Sequence, residues 1–291
     1  MSSFKNIIFF GTSLFSKPVF EALIKNGYSP ILWDLEKSFE SFKKMNPDVC
    51  VVAAYGKIIP KEYLEIPKFG FLNVHPSLLP KYRGASPIQT AILNGEKETG
   101  VTIILMDEKV DHGPIIAKRE LRIASQDDYP ALEHKLAKLG AEILIETLPK
   151  WVAGKIKPVE QNHDKATYTK KFSWPDGKID WQKSADEVDR QTRALNPEPG
   201  TWTTWDNKIL KILESLPIED KSDNLITGQV FMADNKEVPV AEQGSLRGAA
   251  VIKCGFNTAL LLKMIQLEGK KPMKIKYFLN GHRDFIGSVL S

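Results

Sequence analysis

The first half of the chain alternates between short apolar runs and segments in which apolar residues follow a helical repeat. The runs are rich in β-branched and aromatic residues, and they predict strands at 4–10, 31–33, 48–54, 71–74 and 99–106. Helices are predicted at 16–26, at 36–45 and around Leu132, Leu136, Leu139 and Ile143, which recur at steps of three or four. This alternation indicates the α/β class, with a Rossmann-like, mostly parallel sheet and helices on both of its faces. Ligands of such sheets bind at the carboxyl ends of the strands.

The pattern changes after residue 183. Ser184 and Glu187 have the spacing of a capping box and predict a helix that ends near Leu195. The run Asn196-Pro197-Glu198-Pro199-Gly200 then breaks the chain. Short apolar runs at 209–213, 228–232, 249–253 and 259–264 follow, separated by turn-rich pieces, which is typical of a small β-barrel (OB-like) domain. We therefore predict an N-terminal α/β domain at 1–183, a linker helix with a Pro-rich connection at 184–200, and a C-terminal β-barrel domain at 201–291.

Composition argues against several classes of protein. Hydrophobic residues make up 42% and charged residues 26% of the 291 residues, which are ordinary values for a globular protein. The apolar runs are too short to span a bilayer, and the N-terminus lacks the pattern of a signal peptide. The two cysteines, Cys50 and Cys254, form no CxxC pair, so neither a disulfide framework nor a zinc cluster is expected. These features favour a cytoplasmic protein.

Basic residues are concentrated in two stretches, although the net charge of +4 is mild. Residues 263–283 contain six basic side chains and one acidic side chain, and residues 155–171 contain five lysines. Either stretch can contact the phosphate groups of a nucleic acid, and either can equally be solvated surface. Charge alone leaves both interpretations open.

Asn73 and His75 follow the predicted strand 71–74 at its carboxyl end. Because strand side chains alternate between two faces, a spacing of two places both side chains on the same side. An amide beside an imidazole can stabilise an oxyanion and move a proton. Asn-x-His by itself is a weak motif, and a histidine beside a strand is more often a structural residue.

A second polar segment, Asp107 to Gly113, follows the predicted strand 99–106. Asp111 lies in this segment, where a carboxylate can orient and charge a histidine. The alternative is a plain acidic turn. His112 has no partner at the spacing of metal ligands, so no metal site is expected. Gly11-Thr12-Ser13 lacks the other glycines of a GxGxxG loop, which argues against dinucleotide binding.

The segment Asn73-Val74-His75-Pro76-Ser77-Leu78-Leu79-Pro80, with Tyr82-Arg83-Gly84-Ala85-Ser86-Pro87-Ile88-Gln89 after it, resembles the folate-dependent formyltransferase family. The resemblance implies that 1–183 is the catalytic domain and that 10-formyltetrahydrofolate is the donor, with no metal. It implies that Asn73, His75 and Asp111 are the catalytic residues, with Asn73 and a cationic His75 donating to the oxyanion. It also implies that Ser77, Leu78, Leu79 and Pro80 contact the reduced folate.

The resemblance extends beyond the catalytic domain. Residues 176–181 and 193–200 look like the junction of the two domains in this family, and 267–273 with 278–283 resemble the end of those members that formylate methionyl-tRNA. The implied acceptor is therefore initiator methionyl-tRNA, bound by a monomeric enzyme. Two alternatives stay open: a sugar N-formyltransferase that acts on a nucleotide-linked amino sugar, and a non-catalytic RNA-binding protein. The candidate tRNA contacts are Lys165, Lys170, Lys171, Lys270, Lys271, Lys274, Lys276 and Arg283.

One segment departs from the family pattern. The family has a long basic loop and a further strand–helix unit between its second strand and the strand that matches 48–54, and the loop reaches into the acceptor arm of the tRNA. Here only residues 34–47 fill that space. We expect a sheet that is one strand smaller, and tRNA contacts that come mainly from elsewhere in the chain.

Overall fold

The computed structural model describes residues 6–220, 224–232 and 250–291. The chain divides into two compact units: the first contains residues 1–91 and 96–171, and the second contains residues 92–95 and 172–291. The domain boundaries at 183 and 200 that the sequence suggests stay predictions.

The first unit is built on a six-stranded sheet with the order β2-β1-β3-β4-β6-β7. Strands β1 to β4 pair in parallel, whereas β6 pairs antiparallel with both β4 and β7, so β6 runs against the other strands of this sheet. The prediction of a mostly parallel sheet is therefore confirmed. A separate ladder joins β5 to β8. The strands of this unit are β1 (Ile7–Phe10), β2 (Ile31–Leu32), β3 (Val49–Val52), β4 (Phe71–His75), β5 (Arg83–Gly84), β6 (Glu98–Leu105), β7 (Ile115–Arg122) and β8 (Tyr168–Thr169).

Helices cover both faces of this sheet, as predicted. Phe9 and Phe10 are neighbours on β1, so their side chains point to opposite faces. The ring of Phe9 meets Phe20 of α1 at 5.2 Å, and the ring of Phe10 meets Phe42 of α2 at 6.1 Å. The first five helices are α1 (Ser16–Lys25), α2 (Phe39–Met45), α3 (Lys61–Leu64), α4 (Pro87–Leu93) and α5 (Tyr129–Val152).

The shortened segment between β2 and β3 forms a single helix, α2. Its N-terminus is capped by Ser38, whose hydroxyl oxygen accepts a hydrogen bond from Ser41 N. Asn46 ends the helix in the left-handed conformation, with φ +44°. Phe42 is fully buried and its ring packs against those of Phe10 on β1 and Phe71 on β4, which holds α2 on the sheet.

The second unit is a curled antiparallel sheet with the order β11-β12-β13-β10-β9, and β14 pairs with β13. The register of β10 against β13 shifts on both sides of Glu214, and such bulges bend a strand, which explains the curl. This half-barrel confirms the predicted β-barrel class. The elements are α6 (Ala185–Leu195), β9 (Trp202–Trp205), β10 (Lys208–Glu219), β11 (Val230–Met232), β12 (Ala250–Lys253), β13 (Thr258–Leu267), β14 (Met273–Lys274) and α7 (Ile275–Gly281).

The predicted capping box begins α6. Ser184 Oγ accepts a hydrogen bond from Glu187 N, and the Glu187 carboxylate accepts one from Ser184 N at 3.0 Å. The apolar run predicted at 249–253 begins at a residue outside the described part of the chain, and β12 occupies the rest of it. None of the described helices is long and apolar enough to cross a bilayer.

Candidate active site

Asn73 and His75 lie on β4, which is held between β3 and β6 inside the sheet. Asn73 pairs with Val52 on one side and Ile104 on the other, and His75 pairs with Thr102. The neighbouring residue Val74 is fully buried. The side chains of Asn73 and His75 lie on the same side of the strand, and both approach the carboxylate of Asp111. A central strand is a rigid support for a site that requires defined geometry.

The Asp111 carboxylate connects the groups of this site. Its Oδ1 accepts a hydrogen bond from Asn73 Nδ2 at 3.1 Å, and its Oδ2 accepts one from the main-chain N of Gly84 at 2.8 Å. His75 Nδ1 lies 3.5 Å from Oδ1, within ion-pair range. The structure thus brings together the three residues that the sequence predicts as catalytic.

Both ring nitrogens of His75 face protein groups. Nε2 lies 3.0 Å from the main-chain oxygen of Tyr82, and because a carbonyl oxygen only accepts, His75 Nε2 is the donor. Nδ1 faces Asp111. The side chain is 5% exposed, so these contacts fix its orientation away from bulk water.

Two backbone conformations make the Asp111 contacts possible. Asp111 has φ +48°, a left-handed conformation that aspartate tolerates better than most side chains. Gly84 has φ +104°, and a Cβ there would lie 2.8 Å from the main-chain oxygen of Thr169. A side chain at position 84 would therefore push β5 away from β8 and move the main-chain N–H that donates to the Asp111 carboxylate.

The candidate folate segment, Ser77 to Pro80, follows β4 directly. Thr102 on β6 holds it: the Thr102 hydroxyl donates to Ser77 O at 2.7 Å and accepts from Leu79 N at 3.1 Å. Ser77 and Leu79 are fully buried, whereas Leu78 and Pro80 are half-buried. Of the four predicted folate contacts, Leu78 and Pro80 therefore present surface to a ligand, whereas Ser77 and Leu79 present none in this structure and instead hold the segment against β6.

A buried polar network surrounds the Asp111 segment. Arg83 is 1% exposed and Gln161 is 5% exposed, and the Arg83 guanidinium donates to Gln161 Oε1. Gln161 Nε2 in turn donates to the main-chain oxygens of Asp111 and Gly113. In the sequence, Arg83 stands out only as part of a motif, and neither Gln161 nor Thr102 has a predicted role. Nothing in the polar stretch around Gln161 distinguishes it, because its partners are about 50 residues or more away along the chain.

His112, next to Asp111, belongs to a different pair. Its Nδ1 donates to the Asp107 carboxylate at 2.6 Å. The ring also stacks on that of His163, with centroids 4.0 Å apart and planes inclined by 3°. The histidine that Asp111 approaches is therefore His75, and His112 is oriented by Asp107.

The basic residues predicted to contact tRNA are all exposed. In the first unit they lie in the connection after α5. In the second unit they lie after β13, at the end of β14, in α7 and in the turn that follows α7. The first group is Lys165, Lys170 and Lys171, and the second group is Lys270, Lys271, Lys274, Lys276 and Arg283.

Among the described residues, no group of three or more His, Cys, Asp or Glu side chains is arranged to hold a metal ion. A cavity of about 550 Å³ lies beside the beginning of β4, and its lining includes Phe69, Leu105 and Trp151. None of Asn73, His75 and Asp111 lines this cavity.

Comparisons with known families match both units of the chain. A family described as formyl transferase matches residues 9–148, and one described as formyl transferase, C-terminal domain, matches residues 171–283. Similar curated proteins are named methionyl-tRNA formyltransferase. The one from Caldanaerobacter subterraneus subsp. tengcongensis is 40% identical over 284 residues, which are 96% of this chain and 87% of the relative. The one from Dictyoglomus turgidum is 42% identical over 283 residues, which are 95% and 86% of the two chains.

Solved structures share the fold at low sequence identity. Aquifex aeolicus HypX in complex with tetrahydrofolic acid has a TM-score of 0.72 at 17% identity, over 98% of this chain and 48% of HypX. An N-formyltransferase from Helicobacter canadensis, in complex with folinic acid and dTDP-3-aminofucose, has a TM-score of 0.65 at 18% identity, over 89% and 98% of the two chains. Methionyl-tRNA formyltransferase from Clostridium thermocellum has a TM-score of 0.60 at 22% identity, over 73% and 93%.

Proposed function

Because this chain belongs to the formyl transferase family, we propose that it transfers a formyl group from 10-formyltetrahydrofolate to the α-amino group of initiator methionyl-tRNA. The observation that carries this proposal is the similarity to methionyl-tRNA formyltransferases through nearly the whole chain, including the second unit. The geometry also supports the chemistry, because Asn73 is hydrogen-bonded to Asp111 and His75 lies within ion-pair range of it.

The reaction moves one acyl group and one proton. The neutral amine attacks the formyl carbon, and the carbonyl oxygen becomes an oxyanion in a tetrahedral intermediate. Collapse of the intermediate breaks the bond to N10 of the folate. The nitrogen of the amine loses a proton and N10 gains one, so the products are the formamide and tetrahydrofolate. The site therefore needs a donor for the oxyanion and a group that relays the proton.

Asn73 supplies the donor in this mechanism. A carboxamide carries two N–H hydrogens, and the contact with Asp111 Oδ1 uses one of them. This contact fixes the plane of the amide, and the second N–H is left for the formyl oxygen. A donor that is oriented before the reaction costs no reorganisation in the transition state.

Asp111 takes up the proton of the attacking amine, directly or through water, and passes it toward N10. His75 stabilises the same intermediate beside Asp111. Because its Nε2 donates to Tyr82 O in this structure, a hydrogen bond from His75 to the intermediate requires the ring to leave that carbonyl. Catalytic hydrogen bonds are often rearranged when substrates bind.

The two substrates use different parts of the chain. The folate donor binds along Ser77 to Pro80, where Leu78 and Pro80 present side-chain surface. The tRNA is held by the exposed basic residues of both units. The short segment between β2 and β3 forms the single helix α2 in place of a long basic loop, so these contacts come from elsewhere in the chain. We further propose that the protein acts as a monomer in the cytoplasm.

Purified protein incubated with 10-formyltetrahydrofolate and methionyl-tRNA tests the proposal, with formylmethionyl-tRNA as the measured product. Asn73→Ala is the variant in which formylation should be strongly reduced. Asn26→Ala, the same change at the exposed end of α1, is the control that keeps activity. Formylation of a nucleotide-linked amino sugar but not of methionyl-tRNA would overturn the proposal that methionyl-tRNA is the acceptor. Binding of tRNA without formylation of any amine would favour a non-catalytic RNA-binding protein.

A further inference from the structure

The side chain of Gln161 forms hydrogen bonds with the main chain on both sides of His112. Its side-chain amide donates to Asp111 O at 2.9 Å and to Gly113 O at 2.7 Å. Both hydrogens of the amide group are used, and the residue is 5% exposed. One of the two carbonyls belongs to Asp111 itself.

Arg83 fixes which way the Gln161 amide faces. The guanidinium has no acceptor, so the atom that it contacts, at 2.7 Å from Nη2 and 3.3 Å from Nε, must be the oxygen of Gln161. Arg83 is held in turn by His163 Nδ1 at 2.9 Å and by the hydroxyl of Tyr168 at 3.2 Å. The amide hydrogens of Gln161 are therefore directed to the Asp111 segment without ambiguity.

From these contacts we infer that Gln161 is a positioning residue for the reaction proposed above, on which this role rests. It holds Asp111 in its left-handed conformation, φ +48°, which the backbone of a non-glycine residue disfavours. That conformation brings the carboxylate to Asn73 Nδ2 and to Gly84 N. Gln161 acts through the main chain and does not contact the carboxylate.

The chain next to Gln161 is also anchored by main-chain hydrogen bonds that do not involve this side chain. Val159, two residues earlier, pairs with Ile115 through Val159 N to Ile115 O at 2.9 Å and Ile115 N to Val159 O at 2.7 Å. Replacing the Gln161 amide leaves these main-chain bonds in place. The consequence of the replacement is therefore expected at Asp111 rather than in the fold.

Gln161→Glu is the informative variant. The glutamate keeps an oxygen for Arg83 and pairs with it, but it replaces two amide hydrogens with an oxygen that faces the carbonyls of Asp111 and Gly113. Repulsion between these oxygens displaces Asp111. We expect kcat for formylation of methionyl-tRNA to fall by about 10²-fold, the cost of a misplaced catalytic group, with little change in KM for either substrate. Glu160→Gln, a change of one charge at the exposed neighbouring position, is the matched control and keeps kcat.

A crystal structure of the Gln161→Glu protein provides a readout that needs no acceptor. We expect the contacts of Asp111 with Asn73 and Gly84 to lengthen or break. If both contacts remain and kcat is unchanged, while only the melting temperature falls, Gln161 is structural and the inference is overturned. If the wild-type protein does not formylate methionyl-tRNA but Asp111 moves in the variant, the proposed function fails and the positioning role stands.

Discussion

Asn73 Nδ2 donates a hydrogen bond to Asp111 Oδ1 at 3.1 Å, across 38 residues of sequence. The bond joins the centre of β4 to the loop after β6. It orients one N–H of the amide toward the carboxylate and thereby also fixes the direction of the other. The oxyanion donor and the proton relay of the proposed reaction are thus parts of one hydrogen-bonded unit.

Asn73→Ala is expected to lower kcat by about 10²–10³-fold, the usual cost of losing one oxyanion donor. Folate binding should change little, because the hydrogen bond that Asn73 makes to the oxygen strengthens mainly as charge develops there. Steady-state formylation kinetics, with donor affinity measured separately, check this. A variant with nearly full turnover would remove Asn73 from the mechanism.

His75 and Asp111 are expected to act as one unit, since Nδ1 and Oδ1 lie 3.5 Å apart and both groups are almost fully buried. The variants His75→Ala and Asp111→Asn should each lower turnover heavily, and the double variant should lower it by less than the sum of the two losses in free energy. Groups in contact show such non-additivity, whereas independent groups add. Additive losses in a double-mutant cycle would show that the two residues are not coupled.

How much the sequence predicts depends on how local the determining contacts are. Strand β3 is buried along its whole length, so it is a continuous apolar run that the pattern reveals. Strand β4 is revealed by its buried apolar residues Phe71, Leu72 and Val74. Strand β7 is not predicted, because Lys118, Arg119 and Glu120 occupy the middle of this edge strand, and a largely exposed strand carries no apolar run.

The same distinction applies to the candidate site. The spacing of Asn73 and His75 follows from the period of a strand, so their shared side was predictable. The roles of Gly84 and Gln161 depend on contacts that the fold creates: the Asp111 carboxylate accepts from Gly84 N, 27 residues away, and Gln161 donates to Asp111 O, 50 residues away. Neither contact has a local signal in the sequence.

The buried ion pair of the second unit is expected to be a sensitive point for stability. Lys253 Nζ donates to Asp220 Oδ2 at 2.8 Å, and the two side chains are 8% and 0% exposed. Lys253→Met leaves the carboxylate buried without this cation, which should lower the free energy of unfolding by about 3–5 kcal/mol. Urea denaturation checks this. Lys57→Met, which breaks the exposed pair with Asp34, is the control and should lose much less.

Both thiols are expected to be inert in the folded protein. Burial raises the pKa of Cys50 well above its usual range and raises the pKa of Cys254 to about 12. The thiol of an unfolded chain has a pKa of about 8.5. Above a pH of about 8.5 the unfolded chain releases the Cys254 proton, whereas the folded protein keeps it. The Cys254 thiol therefore lowers the free energy of unfolding progressively as the pH rises from about 8.5 toward 12.

Ellman's reagent at pH 9 measures this difference directly. Native protein should show no fast-reacting thiol, and denatured protein should show both. The exposed position of Ser125 offers a control, since Ser125→Cys should react at once under the same conditions. A fast-reacting thiol in the unmodified native protein would contradict the burial of Cys50 and Cys254.

Binding of tRNA is expected to weaken steeply with salt, because basic side chains that contact phosphates release counterions on binding. Lys270 and Lys271 are exposed at the turn after β13. A Lys270→Ala, Lys271→Ala double variant should bind methionyl-tRNA more weakly. The plot of log affinity against log salt should also flatten by roughly one unit for each phosphate that the variant no longer binds. Filter binding or fluorescence titration over a range of salt concentrations provides the measurement.

The matched control for this prediction removes the same charge elsewhere. Lys138 and Lys150 are exposed on α5 and belong to neither predicted basic group. A Lys138→Ala, Lys150→Ala variant should keep the slope of the wild-type protein, because a general decrease in charge acts on association over long range but leaves every phosphate contact in place. The KM for the folate donor should be unchanged in both double variants, since neither pair lies in the segment from Ser77 to Pro80. Equal slopes for the Lys270/Lys271 variant and the wild type would exclude these two lysines as tRNA contacts. A wild-type affinity that does not depend on salt would argue against a polyanionic acceptor altogether.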